Sequence, residues 1–201
     1  MSDNIKTLTE LISSYGSDKA HNNYAATYEL LFEPLRFNVI DFLEIGIGTL
    51  NPEADSNMAL PPWGGPNYTP GASLRAFKEY FPNGNIYGVD NQDDCLFTEP
   101  RITTFKCDSR NREKCDEVLT TLQFDVILDD GSHSPISQTK TFRNLWHRVK
   151  NNGIYIIEDI DLYNPLYDYY DKIFMDITED IARINVINNK EKCRFIVFKK
   201  N

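Results

Sequence analysis

The chain predicts an α/β fold on a mostly parallel sheet, with an antiparallel hairpin at its C-terminal end. Three observations carry this. Short apolar runs alternate with stretches of helical periodicity, the pattern of strands joined by crossover helices. Five of those runs, at 42–48, 86–90, 105–108, 126–133 and 154–159, close on a glycine or a carboxylate. The last two runs, 183–189 and 193–199, face each other across the turn residues Asn188, Asn189, Lys190 and Glu191, as a hairpin does.

The elements follow in order. Residues 5–15 and 24–36 read as two helices joined by the polar turn Gly16-Ser17-Asp18-Lys19. In the second, Tyr24, Tyr28, Leu31, Phe32 and Leu35 share one face. The first strand covers about 40–46. A stretch from Thr49 to Pro70 follows, with five prolines and the pair Gly64-Gly65. It is long for a strand-to-helix connection, and long ordered loops usually serve a site or a lid. Gly71-Ala72-Ser73 opens a helix with Leu74, Phe77, Lys78 and Phe81 at helical spacing, which Pro82-Asn83-Gly84 ends. Strands at 85–89 and 102–107, a helix at 111–122 and a strand at 124–129 come next. A helix over 135–149 buries Ile136, Phe142, Leu145, Trp146 and Val149 and stops at Asn151-Asn152-Gly153. A fifth strand at 154–158 and a helix over 165–182 lead into the hairpin. Tyr163, Tyr167, Tyr169 and Tyr170 crowd that last helix and suit packing or a dimer contact as well as sugar stacking.

At 201 residues the chain suits one domain with its own core. A net charge of −9 argues against a nucleic-acid or anionic-membrane surface, because either needs clustered Lys and Arg. Cys95, Cys107, Cys115 and Cys193 show no metal or redox spacing and read as reduced thiols. With no signal-type start and no long apolar run, a cytoplasmic protein is expected.

In an open α/β sheet the ligand crevice lies outside the carboxyl ends of the strands, so five polar strand ends describe one site. Gly46 and Gly48 follow the first strand beside Glu44 and let the backbone turn sharply against a ligand; a tight turn alone explains them equally well. The third glycine of the dinucleotide fingerprint is missing, which disfavours a pyrophosphate site. Asp90 suits ribose hydroxyls or a turn cap, and Asp108 an exocyclic amine or a helix cap. The sharpest element is Asp129-Asp130-Gly131-Ser132-His133. Paired carboxylates with a nearby His suit a hard cation and a base, and Glu158-Asp159 adds acids from the neighbouring strand end.

Together the segments Tyr15-Gly16-Ser17-Asp18-Lys19, 42–48, 71–77, 86–90, 101–108, 124–133 and 153–160 span nearly the whole chain. Through them it resembles the class I S-adenosylmethionine-dependent methyltransferases. It is most similar to bacterial sugar O-methyltransferases of macrolide and polysaccharide pathways, which are distantly related to cephalosporin hydroxylase-type proteins. The resemblance implies a Rossmann-like, mostly parallel seven-stranded sheet in a single domain, 1–201, with a helical cap over 1–38 and an inserted loop over 49–70.

The resemblance also implies roles. Glu44, Gly46 and Gly48 would line the methionine part of S-adenosylmethionine, with Ser73 beside them. Asp90 would hold the ribose and Asp108 the adenine. Gly16, Ser17, Asp18 and Lys19 would close over the cofactor. Asp130, Glu158 and Asp159 would hold Mg2+, with Asp161 an alternative for the last place. His133 would be the general base, with Asp129 beside it and touching the cofactor. The family's His after Gly-Ser-Asp-Lys stands early here, at His21, and Asn23 lies nearer its usual place. The expected activity is methyl transfer to a hydroxyl of a sugar or related small molecule, with Trp63 and Tyr68 of the long loop forming an acceptor wall. The alternatives are metal-independent methylation of an amine or carboxyl group by Asp129 or His133, an NAD-dependent oxidoreductase, and a non-catalytic binding module. No nucleic-acid or membrane partner is expected, and self-association stays open.

Overall fold

In the computed structural model, residues 5–20, 24–54, 57–61, 64–161, 165, 166, 168, 170, 181–189 and 193–201 are described. The strands are β1 (Asp41–Ile45), β2 (Asn85–Asp90), β3 (Thr98–Glu99), β4 (Ile102–Lys106), β5 (Phe124–Asp129), β6 (Val149–Ile157), β7 (Ile181–Asn189) and β8 (Cys193–Lys200). The helices are α1 (Leu8–Tyr15), α2 (Tyr24–Phe32), α3 (Ala72–Tyr80), α4 (Arg112–Leu119) and α5 (Pro135–Leu145). All eight strands join one sheet in the order β3-β4-β2-β1-β5-β6-β8-β7.

The seven expected strands are present, and the five central ones are parallel. β8 runs antiparallel to β6 and β7 antiparallel to β8, as the C-terminal hairpin requires. β3 is an addition: two residues paired antiparallel to the edge of β4, too short to show any alternation. The strand before the hairpin also begins earlier than its apolar run. Val149 pairs with Phe124, the register then shifts, and Ile154 pairs with Val126. Asn152, at φ +64, takes up part of that bulge. Val149 therefore belongs to the sheet rather than to the preceding helix, which ends at Leu145 and passes through a 3-10 turn. The helix expected over 165–182 falls largely outside the described residues, as do His21, Asn23, Trp63, Tyr163, Tyr167 and Tyr169.

Alternation along the strands divides the core into two layers, because successive side chains of a strand point to opposite faces. Phe42, Val126, Leu128 and Ile156 face α1, α2 and α3, where Leu8, Leu11, Ile12, Tyr28, Phe32, Phe77 and Phe81 pack. Leu43, Ile127, Tyr155 and Ile157 face α4 and α5 and meet Leu119, Phe142, Leu145 and Trp146. In the first layer the Phe42 and Phe77 rings lie 4.5 Å apart, with Phe32 edge-on to both. Such aromatic pairs add to the apolar area they bury. Cys95, Cys107 and Cys115 are free and buried in these layers, as expected of reduced thiols; the side chain of Cys193 lies outside the description. Among the described residues, no helix is long and apolar enough to cross a membrane.

Phe77→Ala removes a fully buried ring from the centre of the aromatic cluster. It should cost about 3–5 kcal/mol, seen as a lower urea midpoint at unchanged slope. Leu30→Ala, at an 82 % exposed position, should stay within about 0.5 kcal/mol of the parent.

Candidate functional site

The chain leaves β1, builds β2 to β4 on one side, and crosses back to β5 on the other. The strand order therefore reverses between β1 and β5, and at such a switch point the loops part to leave a crevice. The hydrogen-bond ladder runs one residue past the strands here. Gly46 N–H donates to Val89 O, Asp130 N–H to Ile45 O, and Glu158 N–H to Asp129 O, each at 2.9 Å. Asp130 and Glu158 are thus fixed by their own backbones at the mouth of the crevice. Asp159 follows at φ +53, a left-handed conformation that a short polar side chain tolerates better than a bulky one.

The fourth wall comes from the N-terminus. The Thr7–Glu10 capping box starts α1, and Gly16 ends it at φ +72. Gly16 N–H bonds to Ser13 O and Ser17 N–H to Ile12 O, both at 3.1 Å, which closes the helix and turns the chain inward. The next turn, Asp18–Ala20, places Lys19 in the crevice, where it is 2 % exposed. Its ammonium lies 2.5 Å from Asp130 Oδ2, 2.9 Å and 3.1 Å from the two Glu158 oxygens, and 3.4 Å from Glu44 Oε1. The other Glu44 oxygen accepts from Ser73 Oγ at 2.6 Å, at the start of α3.

One ammonium thus faces three carboxylates. Burial pushes Glu44 up to about 7 and Glu158 up to about 8, against the pull of Lys19. Burial opposes ionisation of Asp130 too, but Lys19 and His133 hold it below the usual carboxylate range. Burial likewise works against the Lys19 charge, and Asp130, Glu158 and Glu44 overcome it to hold the ammonium well above its ordinary value.

On the outer side, His133 Nε2 lies 3.3 Å from Asp159 Oδ2 and 3.6 Å from Asp130 Oδ1. The carboxylate of Asp130, and then that of Asp159, push the imidazole up to about 9 against burial. The Tyr24 hydroxyl donates to Asp159 Oδ1. Burial, and then the neighbouring Asp130, raise the Asp159 carboxyl. Potential ligand atoms of Asp130, His133 and Asp159 lie within 4.8 Å of one another, and they are the one such group among the described residues. Hard divalent cations take oxygen ligands. Carboxylates that a single ammonium leaves under-neutralised fit such a cation.

Asp129 sits beneath this cluster, buried, accepting from Gly131 N–H at 3.3 Å and from the Tyr155 hydroxyl at 3.1 Å; burial pushes it up to about 7. It anchors the turn that carries Asp130. Gly46 and Gly48 take φ +88 and +89. A Cβ on Gly46 would lie 2.3 Å from Asp130 O, and one on Gly48 would lie 2.2 Å from the Tyr68 hydroxyl. Tyr68, from the long loop, donates to Ile47 O at 3.2 Å and so folds that loop over the glycine turn.

Asp90 accepts from Ile47 N–H at 2.8 Å and from Gln92 N–H at 2.9 Å. Asp108 pairs with Arg110 at 2.8 Å, while Asn111 caps α4. Asp108 borders a groove of about 610 Å3 that Asn111, Ile136, Ser137, Lys140 and Asn144 also line. Ile136, expected in the core, is 45 % exposed and presents an apolar plate to that groove.

The structure therefore brings Lys19, Glu44, Ser73, Asp130, His133, Glu158 and Asp159 into one cluster, and sets Asp90 and Asp108 along the crevice. Three further contributions escape the sequence pattern. Tyr24 shares a core face in the helical periodicity, yet its hydroxyl reaches Asp159; a Tyr among Leu and Phe signals a hydroxyl that needs a partner. Gln138 donates to Glu158 O at 2.7 Å and accepts from the Tyr170 hydroxyl. Lys19 is expected from the resemblance as a cofactor contact, but its three acidic neighbours lie between 25 and 139 residues away, beyond any local pattern.

No family model matches the chain. It is 32% identical over 155 residues to the 8-demethyl-8-alpha-L-rhamnosyl tetracenomycin-C 2'-O-methyltransferase of Streptomyces olivaceus, covering 76% of this chain and 37% of that one. It is 33% identical over 156 residues to the mycinamicin VI 2''-O-methyltransferase of Micromonospora griseorubida, covering 76% and 36%. Among solved structures, the MycE methyltransferase of mycinamycin biosynthesis in complex with Mg, SAH and mycinamycin VI superposes with a TM-score of 0.77. The identity is 26%, over 98% of this chain and 55% of that one. A ribosomal RNA methyltransferase from Plasmodium falciparum, 16% identical with a TM-score of 0.60, shares the fold alone. The fold is that of the class I S-adenosylmethionine-dependent methyltransferases. Within that class, the chain is homologous to sugar O-methyltransferases of macrolide and polyketide pathways, and it spans well under half the length of these relatives.

Two glycine substitutions separate backbone strain from close packing. Gly46→Ala should cost about 2–4 kcal/mol, since a positive φ and a clash with Asp130 O add together. Gly16→Ala, with no atom within 4 Å of its Cβ, should cost only the conformational part, about 1–2 kcal/mol. Chemical denaturation of the two variants measures the difference.

Proposed function

We propose that the chain transfers a methyl group from S-adenosylmethionine to a hydroxyl of a sugar or related small molecule, assisted by a magnesium ion and by His133 as general base. One observation carries the reading: Asp130, Glu158, Asp159 and His133 converge at the switch point of a methyltransferase sheet. That relatives of this chain methylate sugar hydroxyls, and that MycE was solved with Mg and SAH, supports it.

In this reading the cofactor lies across the carboxyl ends of β1, β2 and β4. The turn of Gly46 and Gly48, with Glu44 and Ser73, borders its methionine end. Asp90 receives the ribose. The groove of Asp108 takes the adenine, against the exposed face of Ile136. Lys19 with Gly16 and Ser17 closes the N-terminal side, and the loop that carries Tyr68 bounds the acceptor.

Asp130, Glu158 and Asp159 are the residues that would hold magnesium, which would lower the pKa of the acceptor hydroxyl and orient it. His133 Nε2 takes the hydroxyl proton. Asp159 and Asp130 both face that nitrogen. In this acid-rich setting His133 is held protonated, so it can accept the hydroxyl proton only once the charge of Asp130 and Asp159 is engaged elsewhere, which lowers its pKa and frees the nitrogen. The acceptor oxygen then attacks the methyl carbon, the carbon–sulfur bond breaks, and S-adenosylhomocysteine leaves with the bonding pair. Fixed alignment of the two substrates supplies much of the rate. The buried Lys19 ammonium favours a second, metal-independent reading, because it already supplies positive charge to the acids.

Calorimetric titration of S-adenosylhomocysteine, followed by methyl-transfer assays on sugar acceptors with magnesium or EDTA, tests the proposal. Dissociation constants on the order of micromolar and activity lost in EDTA are expected; activity that persists in EDTA selects the metal-independent reading. His133→Asn should lower kcat by about 10²–10⁴-fold while S-adenosylhomocysteine still binds. A variant that keeps its rate removes His133 as the base.

A further inference from the structure

Lys19 is a fully buried ammonium whose contacts are with acids assigned to something else. Its Nζ lies 2.5 Å from Asp130 and 2.9 Å from Glu158, two of the three carboxylates proposed to hold magnesium. Both oxygens of Glu158 are engaged by it. Those carboxylates are then turned toward an ammonium and not toward a metal ion. A cation that drew on Glu158 and on Asp130 Oδ2 would meet the Lys19 ammonium on the same oxygens.

We propose that Lys19 is an internal cation that holds Asp130 and Glu158 together while the protein is free of metal, and that it yields them when a divalent cation binds. The inference rests on the magnesium-assisted reading and goes beyond it, since it makes Lys19 a competitor of the ion. The fold supplies the means. Lys19 sits on a short 3-10 turn just past the left-handed Gly16, outside the sheet that fixes Asp130 and Glu158. The lysine can withdraw while the acids stay in place. Glu44, bonded to Ser73 and 3.4 Å from the same ammonium, is a carboxylate to which it can retreat. Without a cation of some kind, Asp130 and the buried Glu158 would face one another as unneutralised like charges, which destabilises the fold.

Competition has a measurable consequence. A ligand's apparent affinity is reduced by the fraction of protein in the competent state. Removing the ammonium should therefore tighten magnesium binding, even as it destabilises the metal-free protein. The test compares wild type, Lys19→Met, and the double variant Lys19→Met/Glu44→Gln, all without S-adenosylmethionine. Glu44→Gln removes one buried charge outside the magnesium set, so that the double variant has a better chance to fold. Magnesium chloride is titrated by calorimetry, and thermal unfolding is recorded in magnesium and in EDTA.

The expected result is a magnesium dissociation constant lower by about tenfold or more in the variants, with a larger rise in Tm on adding magnesium than in wild type. Variants folded in magnesium and unfolded in EDTA support the proposal equally, since magnesium then replaces the ammonium. Unchanged or weaker magnesium binding in the variants, beside clear binding in wild type, overturns the role of Lys19 alone. Variants unfolded in both conditions overturn it as well, because magnesium then cannot stand in for the lysine. No magnesium binding by any folded form overturns the proposal together with the magnesium reading beneath it.

Discussion

The interaction on which the site depends is the contact of one buried ammonium with three carboxylates from three different strand ends. Lys19 reaches Glu44 in β1, Asp130 just beyond β5 and Glu158 just beyond β6. Glu44 and Glu158 are buried deeply enough that their charge is expensive, Asp130 is half-buried at the rim, and Asp130 and Glu158 are held there by main-chain bonds. The N-terminal segment is thereby tied to the sheet by electrostatics as well as by the apolar packing of α1 and α2. Loss of one partner from such a group is commonly worth about 3–5 kcal/mol, so the cap and the crevice hold together as one unit.

The placement of the acids follows from strand register. In a parallel sheet, neighbouring strands that end at the same level deliver their next residues to the same line. Ile45, Asp129 and Ile157 are aligned across β1, β5 and β6, so Gly46, Asp130 and Glu158 emerge side by side. Gly46 must be a glycine in this arrangement because the Asp130 carbonyl passes where its side chain would be. The left-handed Asp159 then bends the chain so that its carboxylate meets Tyr24 and His133 instead of following Glu158 inward. Two adjacent acids are thus divided between an inner, lysine-bound set and an outer, histidine-facing set.

The similarity to sugar O-methyltransferases and this geometry both support the proposed methyl transfer. Identity of 32–33% over some 155 residues covers 76% of the chain, and MycE superposes over 98% of it. The residues that converge in space are largely the acids at the strand ends together with His133. The groove beside Asp108 adds an element the pattern does not contain: an exposed Ile136 on a helix face that faces a charged rim. A flat apolar base edged with hydrogen-bonding groups suits such a surface.

The sequence by itself determined the strand and helix order, the parallel centre with its hairpin, and the set of polar strand ends, because periodicity and terminal residues are local properties. It also marked Asp130, His133, Glu158 and Asp159 as one site, because parallel strands send their carboxyl ends to a common edge. Tertiary structure decided the rest. The bulge that draws Val149 into β6 depends on the register of β5, and the added β3 exists only because β4 offers an edge. Asp129 and Asp130 differ by one position, but strand alternation sends one to Tyr155 in the core and the other to the crevice. The pairing of Lys19 with acids 25, 111 and 139 residues away could be settled only by folding, since charge attraction acts across space and leaves no spacing in the chain.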